Sequence, residues 1–567
     1  MWQQTWQHNY EPIGGSLGAS AAVAAIPILV LFFMLGVLRR PAWQSAGAAL
    51  VSALAVALLG YGMPVQMAIV STIYGAAYGL FPIAWIVFAS IMLYRLAVDT
   101  GKFEIIKDTV GNLTDDRRLQ AMFIAFSFGA FIEGAAGFGA PVAVSGAMLA
   151  GLGFNPFYAA GICLLANTAP VAFGSIGIPV TTLANVTGLD ELKLSAMVGR
   201  LCAMISVVIP GYLIVVMAGW KRASEVLPAI IACGVSFAAV QLYVSNNMGP
   251  ALTDILSSLA CIIVMVIVLK LWKPKTIMRL EGDKPVSVTK TRYTGGQMLM
   301  AWMPYLLLVV FVLSWGEASI KPTINKIGNS VIPASLPTTA GTPNGLTATR
   351  LMVPGLHNQI TRIEPVVSKP SPYAALYELN WLSASGTACF LAILATALVL
   401  GVRPKQAVKT YVDTFKQLKL AMLTIASMLG LAYLMNYSGM TSTLGLALAA
   451  TGWYFPFFSA VVGWLGVFLT GSDTSANALF GNLQVVTANT LGLNPILTAS
   501  VNSSAGVMGK MISVQSIAVA VAATGMTTAD ESRLFRFTIK HSVLLMICMA
   551  LISMLFAYVF PHLVPMP

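Results

Sequence analysis

Two carboxylates and one ammonium fall in stretches of this sequence where a membrane helix would carry no charge. Glu133 lies in "FIEGAAGFGAP" at residues 131–141, Asp473 in "TGSDTSANALFG" at 470–481, and Lys510 in "NSSAGVMGKMIS" at 502–513. A charged side chain at the bilayer centre costs about 2.5–3.5 kcal/mol even on insertion scales, so each is a functional candidate. Loss of hydration favours a neutral carboxyl over a carboxylate, and a neutral carboxyl can carry a proton. Glu133 and Asp473 are therefore read as proton-coupling acids. The plainer alternative is structural pairing with Lys510 or Arg200, and the sequence does not choose between the two acids. They are the only acids deep in apolar segments; the other 18 of the 20 Asp and Glu lie in loops or near span ends. Lys510 could hold a substrate carboxylate or neutralise Asp473.

Small and polar residues surround these charges. Gly134, Gly137 and Gly139 follow Glu133; Gly471, Ser472, Thr474 and Asn477 flank Asp473. Two further stretches, "NTAPVAFGSIGIP" from Asn167 and "NSSAGVMGKMIS" from Asn502, read as interrupted helices and supply Asn167, Thr168, Asn502, Ser503 and Ser504. An interrupted helix exposes N–H groups at one new end, and that end suits an anion. Together these residues make a small, polar, anion-tolerant pocket for substrate.

Other chemistries find little support. The six cysteines lie in apolar runs without ligand-like spacing and read as small core residues, so neither a metal nor another cofactor is expected. His541 reads as structural, His357 lies in a loop, and His8 and His562 are near the termini. Arg200, within a span, reads as structural. "GVMGKMIS" is too short between its glycines for a phosphate loop. No nucleophile–base pair suggests an enzyme.

The elements that must position these groups follow from composition. Of 567 residues, 57% are hydrophobic and 9% charged, with mean hydropathy +0.81, whereas soluble domains carry about 25% charged residues. Runs of roughly 20 apolar residues recur from Leu17 to Phe560, which predicts an all-α polytopic membrane protein in contact with the bilayer. The net charge of +12 is a matter of topology, not of nucleic-acid binding. With Arg39 and Arg40 placed in the cytoplasm, 24 of the 32 Lys and Arg fall on that side. That orientation puts both termini in the periplasm. It requires residues 119–151 and 455–492 to be re-entrant hairpins entering from opposite faces, and non-helical backbone at that depth must be buried in protein or face water.

The chain also repeats itself. "TG" at Thr100 pairs with "SG" at Ser438, Glu133 with Asp473, and Pro156 with Pro495. Asn167 pairs with Asn502 and "TGL" at Thr187 with "TGM" at Thr524, all five at offsets of 335 to 340. Two inverted-topology repeats result, each with a hairpin and a broken span, an arrangement of secondary transporters. The expected organisation is N-terminal helices over 1–82 and a first repeat over 83–218, with hairpin 119–151 and broken span 157–187. Connecting helices over 219–316 include a cytoplasmic linker at 273–297, followed by an external loop over 317–380. A helix and an amphipathic segment over 381–420 precede the second repeat at 421–558, with hairpin 455–492 and broken span 497–525. Amphipathic surface helices near 103–113 and 443–452 precede the two hairpins.

"EGAAGFGAPVA", "NTAPVAFG", "NYSGM", "FLTGSDTSANALFG" and "GKMISVQSIAVA" together resemble the bacterial lactate permease family over nearly the whole chain. The resemblance implies uptake of L-lactate, and often D-lactate and glycolate, with protons across the inner membrane, by an elevator-type displacement of a transport domain over 119–187 and 455–524. Ala505 departs from the expected glycine and leaves lactate against glycolate open, as does the sequence for oligomeric state. The expectation is a proton symporter for small 2-hydroxy monocarboxylates. Its rivals are a sodium-coupled carboxylate transporter on the same scaffold and a passive channel.

Overall fold

The computed structural model describes residues 5–111, 113–137, 139–279, 293–316, 320–330 and 349–567. Most of the expected cytoplasmic linker (280–292) and part of the expected external loop (317–319 and 331–348) lie outside the described residues. Among those described, eleven helices are long and apolar enough to cross a bilayer, from Leu17–Val37 to Glu531–Tyr558. A further pair, Pro156–Ala166 with Val171–Thr187, is apolar enough for one span but bent by 63°.

Two bundles share the chain. In one, the long helix Pro404–Tyr437 packs on Val65–Tyr78 and Ala42–Ala55, and Ser385–Val399 packs on Trp85–Asp99 and Gly295–Gly316. In the other, Glu191–Ser206, Leu227–Asn247 and Thr253–Leu271 form a layer behind two helical hairpins and two interrupted spans. The first hairpin rises through residues 117–135, turns at Ala136, Gly137 and Gly139 and returns as Ala140–Gly151. The second rises as Phe455–Thr470, turns at Gly471 and Ser472, and returns as Asp473–Thr490. Gly139 and Gly471 adopt left-handed conformations (φ +84° and +71°) at these turns, which an ordinary side chain would resist.

Each hairpin is followed by an Asn–Pro start: Asn155 and Asn494 cap the next helices, with Pro156 and Pro495 in the first turn. There the two halves diverge. The first span breaks after Ala166, where Pro170 cannot donate a backbone hydrogen bond, and Ser175, Ile176 and Gly177 take left-handed angles (φ +46°, +61° and +73°). A β-branched residue there is strained. The second span stays helical through Pro495–Lys510 and breaks only at Met511–Ser513. Asn502, Ser503 and Ser504 therefore do not lie at a break as expected. "NSSAGVMG" contains no proline, and Asn502 and Ser503 find partners on the neighbouring helix Asp473–Thr490 without opening their own.

The base of the first hairpin is tied down. Arg118, fully buried, donates to both oxygens of Asp116 (3.1 and 2.8 Å), to Glu225 (2.7 Å) and to the carbonyls of Arg222 and Thr276. A buried guanidinium is tolerated when its donors are matched in this way. The expected surface helix before the second hairpin, Met440–Leu448, is instead largely buried against Asp473–Thr490 and Leu17–Ala24, because its Thr, Ser and Gly side chains allow close packing. At the far end of Pro404–Tyr437 a small cap forms. Trp6–Gln7 pairs in parallel with Ile360–Thr361, and Thr349–Met352 pairs antiparallel with Leu376–Leu379. His8 lies beneath it, 2.9 Å from the Tyr437 carbonyl.

Candidate functional site

The two hairpin turns and both helix breaks converge on one cavity of about 350 Å³. Glu133 and Gly139 come from the first hairpin; Thr470, Gly471, Ser472, Asp473, Thr474 and Ser475 come from the second. Gly174, Ser175 and Pro179 line it from the first break, and Lys510, Gln515 and Ser516 from the second. Its remaining wall is formed by Pro41–Trp43 and by Leu420–Ile425 of the long helix. In the chain Pro41 directly follows Arg39 and Arg40, and Leu420 directly follows the basic segment 403–419.

Lys510 is the cation of the site. Its ammonium lies 2.9 Å from Glu133 Oε1, and both side chains are largely buried. The sequence left Lys510 free to pair with either buried acid or to hold the substrate; the structure pairs it with Glu133 of the other half, not with Asp473. The reason is tertiary: the first hairpin turn lies against the first break, where Ser175 Oγ donates to the Ala136 carbonyl at 2.8 Å and Gly174 leaves room for Glu133. An ammonium has three donors, so those not spent on Glu133 remain for the cavity.

Asp473 is held differently. Its Oδ2 accepts from Ser503 at 2.6 Å, while Oδ1 has no partner and lies over Gly506. Behind Ser503 runs a chain of buried amides. Asn477 donates to Ser503 (3.1 Å), Asn502 to the Asn477 oxygen (2.9 Å), and Gln484 to the Asn502 oxygen (3.1 Å). Of the expected substrate-binding residues, Gly139, Gly471, Ser472, Thr474 and Lys510 line the cavity. Asn477, Asn502, Ser503 and Ser504 stand behind Asp473 and do not line it. Asn167 and Thr168 sit behind Lys510 in a narrow gap with Ser516, and Asn167 Oδ1 is buried without a partner. Gly134 and Gly137 pack against neighbours rather than the cavity: a methyl group built on Gly134 would stand 2.8 Å from Asp254 Cβ.

Asp254 corrects the count of buried acids. It is 1% exposed, and neither carboxyl oxygen has a hydrogen-bond partner. Its electrostatic neighbours are Glu133 and Lys510. In the sequence it follows "GPALT" at the start of an apolar run and looks like a residue at a span end. Only the docking of Thr253–Leu271 against the hairpin turn buries it. Ser175, Gln515 and Ser516 were likewise not singled out, although all three lie within or beside the stretches quoted above. Arg200 donates to Asn246 at 3.0 Å and also bonds the Leu563 carbonyl, and His541 contacts the Tyr212 hydroxyl, away from the cavity. Among the described residues, no group of three or more His, Cys, Asp or Glu could hold a metal ion.

The chain matches the L-lactate permease family over residues 20–560. It is 48% identical to an L-lactate permease of Bacillus subtilis (strain 168), over 99% of this chain and all of that protein. It is 45% identical to a glycolate permease of Escherichia coli (strain K12), over 98% and 99% of the two chains. To an L-lactate permease of Salmonella typhimurium it is 44% identical, over 99% of this chain and 100% of that one.

Proposed function

Because this chain belongs to the L-lactate permease family, we propose that it is a secondary active transporter importing L-lactate, and with it D-lactate and glycolate, by proton symport across the bacterial inner membrane. The observation that carries this reading is the Lys510 ammonium on the wall of a cavity of about 350 Å³ lined by both hairpin turns. Such a cavity suits a small hydroxy acid. The carboxylate would take the free donors of Lys510 and the N-terminal end of Asp473–Thr490, and the hydroxyl would bond Ser472, Thr474, Ser175 or Gln515. A proton on Glu133 or Asp473 offsets the substrate's charge in this poorly hydrated site.

Two inverted repeats, 83–218 and 421–558, supply the paired elements. The body moved by an elevator displacement would contain 119–187 and 455–524, with the other bundle as its scaffold. With Arg39 and Arg40 cytoplasmic, this conformer opens its cavity inward, and the cap and both termini lie outside.

The test is radiolabelled L-lactate uptake into proteoliposomes with an imposed pH gradient and no sodium. Accumulation that follows the gradient supports the reading. Accumulation that requires sodium at constant pH, or uptake that only equilibrates, would overturn it.

A further inference from the structure

The hydrogen bonds behind Asp473 run in one direction. Amide orientation is often ambiguous, but here each amide nitrogen also reaches a backbone carbonyl, which can only accept. Asn477 donates to Pro179 O (3.1 Å), Asn502 to Ala476 O (3.4 Å), and Gln484 to Ser459 O (3.2 Å). The three amide oxygens must therefore face the opposite way. Every donor from Gln484 through Asn502, Asn477 and Ser503 is aimed toward Asp473 Oδ2.

We propose that the transported proton is carried on Asp473 Oδ1, and that Gln484, Asn502, Asn477 and Ser503 are positioning residues that prepare it rather than substrate ligands. The inference rests on the proton-symport reading and chooses between its two acids. Oδ2 stays an acceptor whether Asp473 is ionised or neutral, so gaining or losing a proton on Oδ1 requires no rearrangement of the chain. Gly506 leaves room for that oxygen; a methyl group there would stand 2.8 Å from it.

Charge balance points the same way. Glu133 already has the one cation that lines the cavity among the described residues, and Lys510 can hold a substrate carboxylate with its remaining donors without releasing Glu133. The substrate's added negative charge is then offset by neutralising Asp473, one proton per monocarboxylate. The titratable groups facing Asp473 are Lys510, Glu133 and the Cys202 thiol near Ser504. The adjoining helices Phe455–Thr470, Gly174–Thr187 and Met440–Leu448 carry no charged residue; Pro404–Tyr437 carries its charges between Lys405 and Lys419, just ahead of the cavity-lining Leu420, and none of them lines the cavity.

The experiment uses the reconstituted full chain and reads two processes: accumulation of lactate driven by a pH gradient, and lactate–lactate exchange without one. Asp473→Asn mimics the neutral state and is expected to keep exchange, make it independent of pH, and lose accumulation. Gln484→Met removes the far donor while preserving length. It should shift the pH dependence of KM toward higher pH by about one unit, a tenfold gain in proton affinity, with kcat at acid pH retained. A merely structural chain would lower activity at every pH alike.

Asp473→Asn that still accumulates lactate along the pH gradient, with Glu133→Gln unable to, would overturn the assignment in favour of Glu133. Loss of exchange in Asp473→Asn together with an unmoved pH dependence in Gln484→Met would overturn it as well. Failure of the symport reading is separate, since the unmodified protein would then not accumulate lactate at all.

Discussion

The ammonium of Lys510 and the carboxylate of Glu133 meet at 2.9 Å across 377 residues of sequence. The contact joins the break of the second interrupted span to the turn of the first hairpin, on the wall of the cavity. It ties the two halves of the chain together at the site itself.

Lys510→Met strands Glu133 as an unpaired buried charge. Loss of one partner of a buried pair costs about 3–5 kcal/mol. The purified variant should unfold at a lower temperature and lose the stabilisation that lactate gives the unmodified protein. Adding Glu133→Gln should restore the unfolding temperature without restoring lactate's effect. If the double variant regains that effect, Lys510 does not bind substrate.

Gly134 has no room for a side chain beside Asp254 and Ile255. Gly134→Ala forces the hairpin turn away from Thr253–Leu271, at about 1–3 kcal/mol, and uptake should fall sharply. Gly151→Ala, on the same hairpin with open space around it, is the matched control and should transport normally. Equal uptake by the two variants would show that the turn's seat against Asp254 does not matter.

Asp254 offers two buried oxygens and no donor to either, a setting that tolerates a neutral carboxyl and not a carboxylate. Asp254→Asn is therefore expected to keep expression and uptake within about twofold, whereas Asp254→Lys should abolish both. A stable Asp254→Asn protein that fails to transport would mean that the ionised form is needed during the cycle.

His8, ahead of the first span, is sealed under the cap between the Tyr437 carbonyl and the Tyr10 hydroxyl. Burial lowers its pKa from 6.5 to about 4. The open state thus binds a proton more readily than the closed one. The cap has its full stability above about pH 6.5 and loses it as pH falls toward 4, by roughly 3 kcal/mol in all. Proteolysis of the 349–379 segment followed against pH should accelerate over that window. His8→Gln should flatten the dependence; an unchanged profile in that variant would remove His8 as its cause.

Much of this was legible before any coordinates. The glycines after Glu133 and before Asp473 announced the two hairpin turns, because an apolar run interrupted by left-handed turns can lie only inside protein. The stretch "NTAPVAFGSIGIP" from Asn167 announced the first break. Asn502 misled, since a polar residue in a membrane span can be satisfied sideways by a neighbouring helix as readily as by an opened backbone. Asp254 was missed for the opposite reason: its local sequence resembles a span end, and only a partner from another part of the chain makes that end an interior.

What the sequence determined by itself was local: where the chain is apolar enough to cross a bilayer, where glycine and proline interrupt it, and which few charges it carries inside. Those properties depend on residues within a turn or two of one another. The tertiary structure decided the pairings: Lys510 with Glu133, Asp473 with the chain of amides behind it, and Asp254 with Gly134. Each depends on how separate helices dock, and in a desolvated interior a charge takes its role from the partner placed within hydrogen-bonding reach.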